Sequence, residues 1–281
     1  MKLYSISYLS FFYRKLCNFL LKKFELPLKE RGDIFFVAHN DRIGSLIQSH
    51  GNYEKEVLRC IKTLVERLDI SEGLALDVGA NIGNHTLYLS HIFAKVMAFE
   101  PSNSVSLVLK ANVIRNRRDN IEVICCGLGH ENGRAMVNEL SSENTGMVEL
   151  IMLAGEDNVD AINVCRGDDL IFDKGMPVRF VKIDVEGMEV SVLQGMKMCI
   201  ERDKPLIAFE SRCSVEGNDV MDCLTKMKYQ HFYEVAASRL CIGKNFYFKS
   251  LLNFQKSYHL RKIDNLEDRH YSVVFASANE L

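Results

Sequence analysis

The sequence has little punctuation. Four prolines are spread over 281 residues, and no Gly/Ser-rich, repeated or low-complexity stretch interrupts the chain. No linker is visible, so one decorated domain is the simplest organisation. Charge of one sign is also lacking: the formal net charge is -2. That leaves no electrostatic footprint for nucleic acid. Arg115, Arg117 and Arg118 make one small basic cluster, which reads as a solvated helix end. Metal-ligand spacing is missing too. The nine cysteines are odd in number and form no C-x-x-C pair, and Cys125-Cys126 lie adjacent in an apolar run. They read as reduced, buried thiols of a cytoplasmic protein, with no disulfide framework and no metal site.

No apolar run is long enough to span a bilayer. Residues 1–24 are rich in Phe, Leu and Tyr, but Lys2, Arg14, Lys15, Lys22 and Lys23 break them up. The order is wrong for a secretory signal, which places charges first, then an unbroken apolar core and a small-residue cleavage site. An amphipathic helix fits better. It would pack on the domain or a partner subunit, or lie on the anionic inner face of a membrane. What is present suffices for a large core, since 47% of the residues are hydrophobic.

From residue 70 onward, short apolar runs alternate with helical spacing. Leu74–Val78, Lys95–Glu100, Ile121–Cys126, Val178–Val185 and Leu206–Glu210 read as strands. Residues 83–93, Ser102 or Asn103 to about Asn116, 187–200 and Val215–Lys228 read as helices. Each strand is a nearly solid apolar run, which calls for a parallel sheet covered on both faces. Strand-like pieces at His231–Val235, Asn245–Phe248 and Ser272–Ala276 would complete it, antiparallel at one edge. Residues 127–177, punctuated by glycines, read as an inserted hairpin and loop region holding Arg134–Val137 and Val148–Leu153. Tyr53–Leu68 has helical spacing and leads into the first strand. Residues 1–70 are therefore expected as a helical extension and 71–281 as the main domain.

The chemistry centres on the segment Leu76-Asp77-Val78-Gly79-Ala80-Asn81-Ile82-Gly83-Asn84, a strand, a glycine turn and a helix start. A dinucleotide turn, G-x-G-x-x-G, presses a pyrophosphate against the helix N-terminus. Here Asn81 stands where the middle glycine would be. Gly79 still permits close backbone approach. Asp77 ends the strand, and Glu100 closes the next one, just before Pro101. A carboxylate at that second position accepts hydrogen bonds from both hydroxyls of a ribose. Carboxylates at neighbouring strand ends suit a ligand with a ribose and a positive charge. S-adenosylmethionine has both and carries no phosphate. Methyl transfer is thereby favoured over a dinucleotide-dependent oxidoreductase, and a donor-binding scaffold without turnover is the alternative from another class.

Lys182 and Asp184 are two apart on a predicted strand and so share a face. A lysine in a central strand needs a partner or a function. Glu210 closes the fifth strand at the same rim, and His85 sits beside the glycine turn. Asp184, Lys182, Glu210 and His85 are the candidate catalytic groups. Glu186 and Glu189 open the next helix, where the dipole favours acids, and Glu189 is a weaker candidate base. Asn112 and Asn116 are placed to bond loops, and Asp168-Asp169 to cap a helix.

LDVGANIGNHTL at 76–87, AFEP at 98–101, the helix ending around Asn112 to Asn116 and VKIDVEGMEVSVLQG at 181–195 together resemble the FkbM-type methyltransferase family, over roughly residues 71–211. Gly32–Glu56, with its Asp33 and Tyr53-Glu54, resembles the region preceding the core in that family. The resemblance implies an α/β class I methyltransferase fold, a Rossmann-like, seven-stranded, mostly parallel sheet with S-adenosyl-L-methionine as donor. It implies O-methylation of a hydroxyl, commonly on a sugar or glycan or a polyketide-type natural product; the basic N-terminus, outside the shared part, would suit a lipid-linked glycan. By position, Asp77, Gly79, Asn81, Gly83 and Glu100 would hold the donor, with Ala80, Asn84 and Pro101 beside them. Asp184 would lie nearest the transferring methyl. The family's TLDD-like segment stands here as Arg166-Gly167-Asp168-Asp169-Leu170, without the Thr-Leu pair.

Overall fold

The computed structural model describes residues 33–37, 53–139, 148–152, 161–185, 187–239 and 256–281. The amphipathic reading of residues 1–24, the strand-like piece at 245–248 and Glu186 lie outside the described residues. The chain divides into two compact units, Met1–Tyr53 and Glu54–Leu281, and the second carries the fold described below. No helix among the described residues is long and apolar enough to cross a membrane.

The unit opens with α1 (Lys55–Leu68). Its Val57, Leu58, Ile61, Leu64 and Val65, three and four apart, form one buried stripe. Then follow β1 (Leu74–Val78), α2 (Asn84–Ser90), β2 (Lys95–Phe99), α3 (Asn103–Arg115) and β3 (Ile121–Ile124). The inserted region holds β4 (Gly127–Gly129), β5 (Gly133–Glu139), β6 (Val148–Met152), β7 (Ile162–Arg166) and the short α4 (Gly167–Ile171). The chain returns through β8 (Val178–Ile183), α5 (Glu189–Gly195), α6 (Lys197–Asp203), β9 (Leu206–Ser211) and α7 (Ser214–Lys226). It ends with β10 (His231–Arg239), β11 (Lys256–Ile263) and β12 (Tyr271–Ser277).

The main sheet runs β11-β10-β12-β9-β8-β1-β2-β3. From β3 to β9 the pairings are parallel; β12, β10 and β11 join antiparallel at one edge. The winding reverses between β1 and β8, and ligands of such sheets bind at that switch point, outside the strands' carboxyl ends. This is the class I methyltransferase sheet, with eight strands where seven were expected. The extra strand is β11, which pairs only with β10. Its sequence, KSYHLRKI, lacks a solid apolar run because it lies at the edge, where charged side chains discourage further pairing.

Alternation along the strands builds two cores. Leu74, Leu76 and Val78 pack with Met97, Phe99, Val181 and Ile183 on the side of α5 to α7. Ala75 packs with Val96, Phe180 and Ala208 beneath Ile61 and Val65 of α1. All five residues of β1 are buried, as a central parallel strand requires. Because side chains alternate, Asp77, Lys182 and Glu210 share the second face with Ala75, Phe180 and Ala208.

The inserted strands form a second sheet, β4-β7-β5-β6, whose β5–β6 pair is the expected hairpin. The single helix expected over 187–200 is two. It breaks at Met196, whose φ of -111° and ψ of 14° leave the helical region. Close packing accompanies the break: a Cβ on Gly195 would lie 1.8 Å from the Gly129 carbonyl oxygen. Asp168 then accepts the amides of Met198 at 3.0 Å and Cys199 at 2.9 Å, so the expected acidic cap serves α6, a helix remote in sequence.

Gly195→Ala must push the inserted sheet away from α5. We expect a loss of roughly 2 kcal/mol, the usual cost of overpacking, read as a lower urea midpoint. An unchanged midpoint would show that the contact yields freely.

Candidate active site

The glycine turn is fixed from three sides. The amides of Gly79 and Ala80 both donate to the Phe99 carbonyl at 3.0 Å. Gly79 has φ +82°, and a Cβ there would lie 1.8 Å from the Asp184 carbonyl oxygen. Glycine meets both demands. Asn81 is also left-handed, at φ 50°, a region asparagine tolerates. Its Oδ1 accepts the Ile82 amide at 2.7 Å. The Glu100 carboxylate grips the turn from β2, accepting the amides of Asn81 and Ser102, each at 2.9 Å. Burial pushes the Glu100 pKa up while those two amides oppose the shift. From α3, the buried Asn112 donates its Nδ2 to the Ile82 carbonyl at 2.8 Å. Gly83 ends the turn with φ +96°, ahead of the buried Asn84. Pro101 follows Glu100 at the rim.

Beside the turn runs a row of charged groups across three strands. Register pairs Asp77 with Lys182 and Lys182 with Ala208. Thr86, on α2, donates its hydroxyl to Asp77 Oδ2 at 2.6 Å. Asp77 Oδ1 is buried without a hydrogen-bond partner among the described residues, 3.9 Å from Lys182 Nζ. Burial raises the Asp77 pKa, and Lys182 and Thr86 work against it. Lys182 Nζ donates to Asp184 Oδ2 at 2.9 Å. Burial disfavours the Lys182 charge, yet Asp184 and Asp77 outweigh it and hold the ammonium above its ordinary pKa. Asp184 is the complement: burial would raise it, but Lys182 and a hydrogen bond from Glu210 hold it well below the carboxylate range. Glu210 is pushed up to about 9 by burial and by Asp184, so it keeps its proton at neutral pH. Its other side faces His270, with Nε2 2.6 Å from Oε1.

Across from this row, Glu54 Oε2 lies 3.5 Å from His85 Nε2. Burial, then Lys182, depress the His85 pKa well below its usual value, so the imidazole is neutral. Glu54, His85, Lys182, Asp184 and Glu210 line one pocket, with Val57, Ile61 and Phe209 among its apolar walls.

The structure thus gathers all four candidate catalytic residues around one cavity and sets the candidate donor residues on the turn next to it. Glu189 takes a local part instead, its carboxylate accepting the Gly187 amide at 3.0 and 3.2 Å and closing its own helix. Three residues of the site were given no role by the reading of the sequence. Thr86 is an ordinary helix residue until its partner Asp77 is seen. Glu54 precedes a helix far upstream in the chain. His270 lies in a polar stretch between β11 and β12 and reaches Glu210 only through the antiparallel edge.

The residues on the turn fit the sulfonium nucleoside. Among the described residues Asp77 Oδ1 has no hydrogen-bond donor to satisfy it, Glu100 stands fixed at the end of β2, and Gly79 leaves the backbone bare. Sheet order and the turn at its switch point define the class, an S-adenosylmethionine-dependent methyltransferase. The family model of the methyltransferase FkbM domain matches residues 77–254. The chain belongs to the FkbM methyltransferase family, and S-adenosylmethionine is its methyl donor. A hexuronic acid methyltransferase, AglP of Haloferax volcanii, is 28% identical over 176 residues, 62% of this chain and 69% of its own. Methyltransferase 1 of Beauveria bassiana is 26% identical over 151 residues, 44% of this chain, and the match spans 59% of that protein. The crystal structure of an FkbM methyltransferase from Methylobacillus flagellatus is 20% identical, with a TM-score of 0.44, covering 73% of this chain and 44% of that one.

The proton held by Glu210 has a consequence for stability. An acid with a folded pKa of about 9 and an ordinary value of 4.5 binds its proton more tightly when folded. Folding therefore takes up a proton within that window, and stability falls as pH rises through it. Glu210→Gln keeps a donor toward Asp184 and removes the titration. Its denaturant midpoint should decline less than the wild type's from pH 5 to 9; parallel declines would show that Glu210 is ionised in the folded protein.

Proposed function

We propose that this protein transfers the methyl group of S-adenosylmethionine to a hydroxyl of a sugar or glycan. The observation that carries the reading is the charged row Lys182, Asp184 and Glu210 at adjoining strand ends, next to the partnerless oxygen of Asp77. The bound donor supplies an electrophilic methyl on a positively charged sulfur. Asp77 would meet its ammonium, Glu100 its ribose hydroxyls, and the backbone from Gly79 to Gly83, with Ala80, Asn84 and Pro101, its remaining edge.

Methyl transfer to an alcohol is an in-line displacement, so holding the acceptor oxygen in line is a large part of the work. In this reading the acceptor oxygen arrives beside Asp184. Lys182 keeps that carboxylate ionised and Glu210 fixes its second side, so its position is set by two neighbours. The pocket carries hydrogen-bonding groups on one side and apolar ones on the other, a lining suited to a sugar ring. The hexuronic acid methyltransferase among the relatives supports a sugar acceptor. Residues 1–24, basic and apolar, suit an acceptor carried on lipid at the inner face of a membrane.

Incubation with methyl-labelled donor and cell-envelope glycan fractions, followed by location of the label, tests the acceptor class. Asp184→Asn should lower labelling by roughly 100-fold or more, while calorimetry shows donor affinity within about twofold of wild type. Labelling at the wild-type rate by that variant would remove Asp184 from the mechanism. Label found only on free water or small alcohols would sink the glycan reading.

A further inference from the structure

Methylation of a hydroxyl leaves a proton to be removed, and most acid–base groups of the pocket are already committed. Asp184 accepts from Lys182 and Glu210 and is held as a carboxylate far too stable to take a proton readily. Glu210 already carries one. Lys182 is a charged donor. His85 is neutral, but burial beside Lys182 makes its imidazole a weak base.

Glu54 is different. It stands at the N-terminal boundary of α1 with φ 52° and ψ 45°, a left-handed backbone rare for glutamate. A side chain at that boundary ordinarily caps the helix, yet Glu54 makes no such bond. Its carboxylate instead lines the pocket, 3.5 Å from His85 Nε2. That nitrogen is itself buried, without a hydrogen-bond partner among the described residues. An unusual backbone and an unused cap together aim one carboxylate into the cavity opposite Asp184.

We propose that Glu54 is the catalytic base of the reaction. The inference rests on the methyl-transfer reading above. The acceptor O–H bond breaks and its proton passes to the Glu54 carboxylate. The new bond forms between the acceptor oxygen and the methyl carbon. The sulfur–carbon bond breaks, and its electron pair remains on sulfur, cancelling the positive charge there. No further reactant is needed.

The electrostatics agree with the geometry. Burial raises the Glu54 pKa to about 7, opposed by Lys182 and helped by Asp184. The groups that face it are Lys182 from β8, Asp184 just past its end, His85 from α2 and Glu210 from β9. A base poised near the working pH combines adequate ionisation with adequate proton affinity.

The test uses the full chain, methyl-labelled donor and whichever glycan fraction accepts label. Glu54→Gln should reduce kcat/KM by about 100-fold at pH 7, within the usual range for a lost base. It should also abolish the rise in kcat/KM between pH 6 and 8, with donor affinity by calorimetry unchanged. Glu54→Asp, a base on a shorter arm, should restore part of the rate. A Glu54→Gln protein with the wild-type rate and pH profile would overturn the proposal. A second readout needs no acceptor: carbon-13 spectra of glutamate carboxyls, with S-adenosylhomocysteine bound and the Glu54→Gln variant as reference. The Glu54 signal should titrate near pH 7, and a midpoint near that of free glutamate would overturn the assignment. Absence of label with wild-type protein would defeat the methyl-transfer reading instead, leaving the carboxyl titration to judge Glu54.

Discussion

The ammonium of Lys182 is the constraint around which the site is organised. It sits in a central strand, between the carboxylates of Asp77 and Asp184, with little access to water. A lone buried charge would cost several kcal/mol, and its partners offset that only with close geometry. Register supplies the geometry. Asp77 and Lys182 are neighbours across β1 and β8, and Asp184 lies two residues on along the same face. The lysine in turn fixes the state of everything near it. It holds Asp184 ionised against burial; burial, with Asp184, keeps a proton on Glu210, and burial, with the same positive charge, depresses His85.

The glycine turn solves a separate problem. A ligand that approaches the backbone needs a stretch without side chains, but a stretch without side chains is easily deformed. Glu100, Asn112 and the Phe99 carbonyl stiffen it by hydrogen bonds from β2 and α3. Glu100 therefore has two aspects. Its oxygens anchor the amides of Asn81 and Ser102, and each oxygen still has a lone pair for a ribose hydroxyl. Part of the stiffness comes from groups that would also meet the ligand, which keeps the cleft formed in its absence.

The parallel half of the sheet was legible because buried parallel strands write themselves as solid apolar runs. Leu74–Val78 and Leu206–Glu210 were recognisable for that reason, and Asp77 and Lys182 stood out as polar exceptions within such runs. The break at Met196 was not legible. It coincides with Gly129, more than sixty positions earlier, pressing on Gly195. β11 was hidden because an edge strand may be charged on both faces. The pocket was half legible. Strand ends announce their acids, but Glu54 and His270 enter through α1 and the antiparallel edge, and their partners are set by tertiary packing alone.

A further step follows from the charges taken together. Among the described residues of the rim, Lys182 offsets Asp184, whereas Asp77 keeps one oxygen without a hydrogen-bond donor and a pKa raised chiefly by burial. Asp77 thus has room for one more positive charge beside it. Under the proposed arrangement the donor brings that charge as its ammonium, and its arrival favours the ionised form of Asp77. The sulfonium adds a second charge, which is lost when the methyl leaves. The product is then the less cationic ligand, and it meets the same carboxylates with one electrostatic attraction fewer.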